Sequence, residues 1–271
     1  MPAVRLCAND GAVVTITLFG AQVVSWTSAQ GVEQLYLSPS TVFDGVAPVR
    51  GGVPVVFPQF NTRGPLPRHG FARTANWSVL EAAVSEGECS VTLALSHTAH
   101  TQALWPHAFG CTLTVSLQDA DLSLCMVVRN EGAHPFGFQA ALHTYLAVGS
   151  IDGLSLTGLQ ACAFEDCTAT VPGTMKPHAH WQAPAPMDRI YYNAPQQLQL
   201  HSEMGQRSLQ QTGFTDTVVW NPGLGAAGTP ADLPPDGHRH FVCVEAAQIG
   251  QPVVLQAGQS WCGTQTMGCA Q

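Results

Sequence analysis

The chain has 271 residues, enough to bury a large core, and its 10% charged against 45% hydrophobic content excludes an intrinsically disordered protein. Eighteen acidic against ten basic side chains give a formal net charge of -8, which disfavours nucleic acid and anionic membranes as partners. The nine cysteines, an odd number with no Cys-x-x-Cys pair, read as reduced thiols of a cytoplasmic protein. The N-terminus carries no long apolar run, so no secretory signal is read there, and no segment has the length of a bilayer span.

In chain order, Asn9-Asp10-Gly11 is the first turn signal. Next comes a segment unlike a plain strand, Arg50-Gly-Gly-Val-Pro-Val-Val-Phe-Pro-Gln-Phe60, followed by Leu66-Pro-Arg-His-Gly-Phe-Ala-Arg73. Its paired glycines are expected to let backbone approach a ligand, and its arginines can grip phosphate or carboxylate oxygens bidentately. Arg50, Arg63, Arg68 and Arg73 thus form a basic cluster in an acidic chain, which points to a specific anionic ligand, although a single surface arginine more often pairs with a carboxylate. After a turn at Glu86-Gly87-Glu88, period-two alternation takes over: Val91, Leu93 and Leu95, then Leu113, Val115 and Leu117, then Leu122, Leu124, Met126 and Val128. The last two runs flank Asp119-Ala120-Asp121 and predict a hairpin, and Asn130-Glu131-Gly132 closes the second. Leu198 and Leu200 repeat the pattern, residues Asn221 to Arg239 read as a long Gly/Ala/Pro-rich loop, and Phe241 to Ala246 is a further strand. Helical periodicity is not found, and 19 prolines and 26 glycines argue against long helices. The fold class is therefore all-β, a large antiparallel β-sandwich forming one domain over residues 1–271 without internal repeat.

Two titratable residues sit inside such apolar strands. His143 lies in Ala141-Leu-His-Thr-Tyr-Leu146, where a lone histidine is more often structural than catalytic. Glu245 follows Phe241-Val-Cys-Val, and a carboxylate there is seldom fully buried without a partner or a function. Seven of the eleven histidines come in groups, His97, His100 and His107, His178 and His180, His238 and His240, but none has a metal-ligand spacing, so no metal is expected.

Taken in order, Arg50-Gly-Gly-Val-Pro, Phe57-Pro-Gln-Phe60, Pro67-Arg-His-Gly-Phe-Ala-Arg73, Trp105-Pro-His-Ala-Phe109, Leu142-His-Thr-Tyr145, Asp216-Thr-Val-Val-Trp-Asn-Pro222 and Val242-Cys-Val-Glu245 resemble the glucose-6-phosphate 1-epimerase (hexose-6-phosphate mutarotase) branch of the aldose 1-epimerase family. The resemblance spans most of the chain. It implies a β-sandwich of the galactose-mutarotase type with a groove on one sheet face, and interconversion of the anomers of a hexose 6-phosphate without cofactor or metal. It assigns His143 as general acid and Glu245 as general base, with the histidine a cation at working pH. Arg50 and Arg73 would hold the phosphate with Arg68 lining that end, His69 would bond near the sugar, and Asp216 would accept from sugar hydroxyls. Two positions depart from the branch: Arg68 stands where glutamine is usual, and Gly223 where a tryptophan usually follows Asn-Pro. The resemblance leaves open an aldose 1-epimerase for unphosphorylated hexose, and fold alone leaves open a carbohydrate binder without activity. A monomer with a small-molecule partner is expected.

Overall fold

The computed structural model describes residues 1–85, 87–168, 174–175, 186–224 and 230–269. Glu86 of one expected turn, Lys176, His178, His180 and residues 225–229 of the expected long loop lie outside the described residues.

Strands are numbered in chain order. A small sheet holds β1 (Ala3–Cys7), β2 (Val13–Thr17) and β3 (Val23–Thr27). The back sheet runs from β11 (Ser155–Thr157) through β15 (Gln197–Ser202), β16 (Gly205–Thr212), β19 (Ser260–Gly268), β8 (Asp121–Asn130), β7 (Phe109–Gln118) and β6 (Glu88–Ser96) to β5 (Ser78–Ser85). The front sheet runs from β13 (Thr174–Met175) through β12 (Phe164–Asp166), β14 (Met187–Tyr191), β17 (Asp216–Asn221), β18 (Phe241–Leu255) and β9 (Phe136–Leu142) to β4 (Val55–Val56), and β10 (Tyr145–Ala147) also pairs with β18. All of these ladders are antiparallel, which is the expected sandwich.

The alternation in the sequence is an alternation of burial. On β7 and β8, Leu113, Val115, Leu117, Leu122, Leu124, Met126 and Val128 are buried, while Thr112, Thr114 and Ser123 between them face outward. Their partners across the sandwich include Leu142, Val219 and Val244 of the front sheet, in the same apolar cluster. Each buried leucine contributes about 1.5–3 kcal/mol by leaving water. The predicted hairpin joins β7 to β8, with Gln118 paired to Asp121 and Asp119 taking a positive φ of 51° at the turn.

β18 behaves differently: every residue from Phe241 to Ile249 is buried. One face packs into the sandwich core and the other underlies a cavity, so the strand reads as a nearly unbroken apolar run. A short helix, α1 (Ala99–Leu104), occurs where no helical period is readable. A capping box starts it: the Thr98 hydroxyl accepts from Thr101 N at 3.2 Å, and the Thr101 hydroxyl accepts from Thr98 N at 2.8 Å.

Candidate active site

The site begins with strand register. Leu142 of β9 pairs with Ala246 and Tyr145 of β10 pairs with Cys243, so the count of residues between them is equal on both strands. His143 therefore faces Glu245 directly across the ladder. The His143 N–H turns the other way, to Pro54 O at 3.0 Å, while Val244 N donates to Thr144 O at 3.1 Å. The opposed side chains meet at 3.3 Å, His143 Nε2 to Glu245 Oε1. Neither His143 Nδ1 nor Glu245 Oε2 has a hydrogen-bond partner among the described residues.

This pair lies in the wall of a cavity of about 580 Å³, lined also by Arg50, Arg68, His69, Arg73, Tyr145, Asp188 and Trp220. The size suits a small ligand. The His143 ring is held on three sides: it stacks on Tyr145 with centroids 4.9 Å apart and planes at 12°, meets Trp220 edge-on at 5.9 Å, and meets His69 edge-on at 5.7 Å.

His69 reaches that position from a backbone with φ +66°, on a turn in which its own N–H donates to Asn61 O at 3.0 Å. Its Nδ1 accepts from Asn61 N at 3.4 Å, which leaves Nε2 to carry the proton of the neutral ring. Gln59 braces the same turn, accepting from Leu66 N at 2.9 Å and donating to Asn61 O at 2.9 Å. The paired glycines serve the backbone rather than a ligand: a Cβ on Gly51 would fall 2.3 Å from Tyr36 O, and one on Gly52 would fall 2.0 Å from Val23 O. Both have positive φ, which a side chain would strain.

The arginines differ in what holds them. Arg50 Nε donates to Asp232 at 2.9 Å and its Nη1 to Tyr145 OH at 2.9 Å. Arg73 Nη2 donates to Arg68 O at 2.8 Å, and its buried Nε has no partner among the described residues. The Arg68 side chain is exposed. Arg63 is absent from the lining and pairs with Glu165 at 2.6 Å.

Asp216, expected to accept from sugar hydroxyls, does not line the cavity. It stands opposite Ala247, and one carboxylate oxygen accepts from Ile249 N at 2.8 Å and Gly250 N at 2.7 Å, where β18 breaks register with β9. The cavity carboxylate on β14 is Asp188, opposite Trp220. No motif announced it; its strand, Met187–Tyr191, also carries Arg189, and nothing local sets Asp188 apart. Gly223 leaves room for Pro186: a Cβ there would fall 2.7 Å from Pro186 N, so Pro186 and Trp220 form this part of the wall.

Burial governs the charges. It pushes the Glu245 carboxyl well above the usual range, with Asp188 adding to the effect. Burial first, then Arg50 and Arg73, pulls His143 down to about 3, and the same causes together with His143 itself keep His69 neutral. Asp188 is raised by burial, with Arg68 partly offsetting this. The histidine cation expected from sequence is thus disfavoured in the ligand-free site, as is the glutamate carboxylate, because burial penalises both charges. Among the described residues no three His, Cys, Asp or Glu side chains converge to hold a metal. The grouped histidines serve locally, His238 Nδ1 near Pro235 O at 3.1 Å and His240 Nδ1 near Gly149 O at 2.8 Å. Among the described residues no helix is long and apolar enough to cross a membrane.

Residues 2–268 match the family model described as aldose 1-epimerase. A protein of Cenchrus ciliaris, named as a candidate glucose-6-phosphate 1-epimerase, is 31% identical over 261 residues, covering 92% of this chain and 78% of that protein. The crystal structure of a candidate mutarotase from Salmonella typhimurium superposes with a TM-score of 0.86 at 26% identity, covering 96% of this chain and 88% of that one. A galactose mutarotase related enzyme from Lactobacillus acidophilus superposes with a TM-score of 0.76 over 100% of this chain and 98% of its own, and at 15% identity that likeness concerns the fold alone. The sandwich is of the galactose-mutarotase type.

Proposed function

The chain belongs to the aldose 1-epimerase family, and on that premise we propose that it interconverts the α and β anomers of a hexose 6-phosphate, glucose 6-phosphate first among them. The observation that carries this is the facing His143–Glu245 pair, 3.3 Å apart, in a cavity that also holds three arginines. A dianionic phosphate fits the arginine end. Arg73 offers a buried Nε without a partner among the described residues, Arg68 an exposed guanidinium at the cavity, and Arg50 the N–H groups not used by Asp232 and Tyr145. Asp188 is the carboxylate placed to accept from sugar hydroxyls, the role first given to Asp216, and His69 donates through Nε2.

The chemistry then needs one proton moving around a ring. Phosphate binding offsets the arginine field, which lets the proton shared by the pair pass from Glu245 to His143. Glu245, now a carboxylate, takes the proton of the C1 hydroxyl. His143 gives its proton to the ring oxygen, and the C1–O5 bond breaks to leave the open-chain aldehyde. Rotation about C1–C2 presents the other carbonyl face. Reclosure with the transfers reversed yields the other anomer and restores both groups. In the open-chain complex the histidine is neutral and the glutamic acid protonated, the uncharged state that burial favours for both groups. No electron leaves the sugar, so this route calls for no redox partner. The nine free thiols suit a reducing, cytoplasmic setting.

The test is anomer exchange of freshly dissolved α-glucose 6-phosphate, coupled to a dehydrogenase that accepts only the β anomer, with free α-glucose and its own β-specific enzyme alongside. Acceleration for the phosphate ester is the expected result. Acceleration for free glucose alone would move the substrate to unphosphorylated hexose, and binding without acceleration would leave a sugar-phosphate binder.

A further inference from the structure

We propose that Asp232 is a positioning residue of this site, fixing the Arg50 guanidinium against the Tyr145 hydroxyl and offsetting its charge beside His143. The proposal rests on the reaction described above, but Asp232 itself does not line the cavity.

Asp232 belongs to the segment between β17 and β18 and is tied to Arg50 twice. Its carboxylate accepts from Arg50 Nε at 2.9 Å. Its carbonyl accepts from Ser38 Oγ at 2.5 Å, and Ser38 N in turn donates to Arg50 O at 2.9 Å. The next residue, Leu233, packs in an apolar cluster with Tyr36, Tyr145, Phe241 and Cys243. Beyond Arg50, the Nη1 donates to Tyr145 OH, and the Tyr145 ring lies flat on the His143 ring. A displacement of Arg50 therefore reaches the imidazole through one stacked contact. With Nε and one Nη1 hydrogen spent, Arg50 cannot turn its Nε edge to phosphate, and its orientation is set before substrate arrives.

Charge gives the second reason. The titratable and charged groups facing His143 are Arg50 from the turn before β4, Arg68, His69 and Arg73 from the following segment, Tyr145 of β10, and Cys243 and Glu245 of β18, with Asp188 of β14 beyond Glu245. Three of these are cations against a histidine that must take a proton. Asp232 is the carboxylate that cancels one of them without occupying space the sugar needs. Burial works against the Arg50 charge, yet the Tyr145 and Asp232 oxygens together hold its pKa above the ordinary value. The Asp232 side chain is 36% exposed, so solvent screens part of this effect.

The experiment compares wild type, Asp232→Asn, Asp232→Ala and Asp232→Glu in the coupled anomer assay across pH, with thermal unfolding of each. Asp232→Asn keeps an acceptor for Arg50 but loses the charge. Both limbs of its kcat–pH profile should move to lower pH, and each half unit lowers kcat on the alkaline limb about threefold. KM for hexose 6-phosphate should not rise, because an uncompensated Arg50 attracts phosphate more strongly. Asp232→Ala should lose more kcat, and Asp232→Glu should recover the wild-type profile. An unshifted profile in Asp232→Asn, a raised KM with kcat intact, or failure of Asp232→Glu to recover it would overturn the proposal. If wild type itself does not accelerate exchange, the functional reading has failed, and NMR of ligand-free wild type and Asp232→Ala at neutral pH decides the positioning role. Shifted Arg50 Nε–H and His143 ring resonances in the variant support it, and unchanged His143 ring resonances overturn it.

Discussion

Asp216 and Glu245 are both buried carboxylates on one face of the front sheet, on the paired strands β17 and β18, with exposures of 2% and 1%. Their oxygens meet different surroundings. Asp216 accepts from the amides of Ile249, Gly250 and Asn193, and so pins the irregular stretch of β18 to its neighbours. Among the described residues, Glu245 meets a single ring nitrogen through one oxygen and no donor through the other. A carboxylate wrapped in backbone N–H groups has its lone pairs spent on holding the fold. One that is desolvated and left short of donors keeps a high proton affinity and an open coordination, which is what proton transfer needs.

Breaking the comparison at Glu245 should produce the largest effect. Glu245→Gln, or His143→Asn, should lower kcat for anomer exchange about 10²–10⁴-fold, measured in the coupled assay. The Glu245→Gln protein should unfold at no lower temperature than wild type, since a costly buried acid has been removed. Next comes the far end of the cavity. Arg73→Ala should raise KM for glucose 6-phosphate about 10–100-fold by removing charge-assisted bonds from a buried cation, with kcat changed much less. The smallest effect on turnover is expected at Asp216. Asp216→Ala should cost about 1–3 kcal/mol in denaturant-induced unfolding, because the Ile249 and Gly250 amides lose their acceptor, while kcat of the folded fraction stays within about threefold of wild type. A collapse of kcat there without loss of stability would erase the distinction between the two carboxylates.

Much of the scaffold is legible in the chain. The alternating leucines and valines of β7 and β8 and the turn at Asp119 follow from period two, because each residue of a half-exposed strand sees either core or water. β5 is a counter-example: all eight of its residues are exposed, as an edge strand may be, so its apolar Val79, Leu80 and Val84 follow no burial rule. The candidate site is legible in part. His143, His69, Glu245 and the three arginines do share one cavity, but Asp188 and Asp232 carry no local motif, and Asp216 stands too far along its strand.

The sequence by itself determined the all-β class, the positions of the half-buried alternating strands such as β6, β7 and β8, and the residue types available for acid–base chemistry, because these depend on periodicity and composition within a few residues. Only the tertiary structure decided that His143 and Glu245, 102 positions apart in the chain, are opposed in register, that Arg50 is held by Asp232, and that burial pushes the Glu245 carboxyl up and the His143 ring down. Those outcomes depend on strand pairing and on distance from water, and both exist only once the sheets have packed.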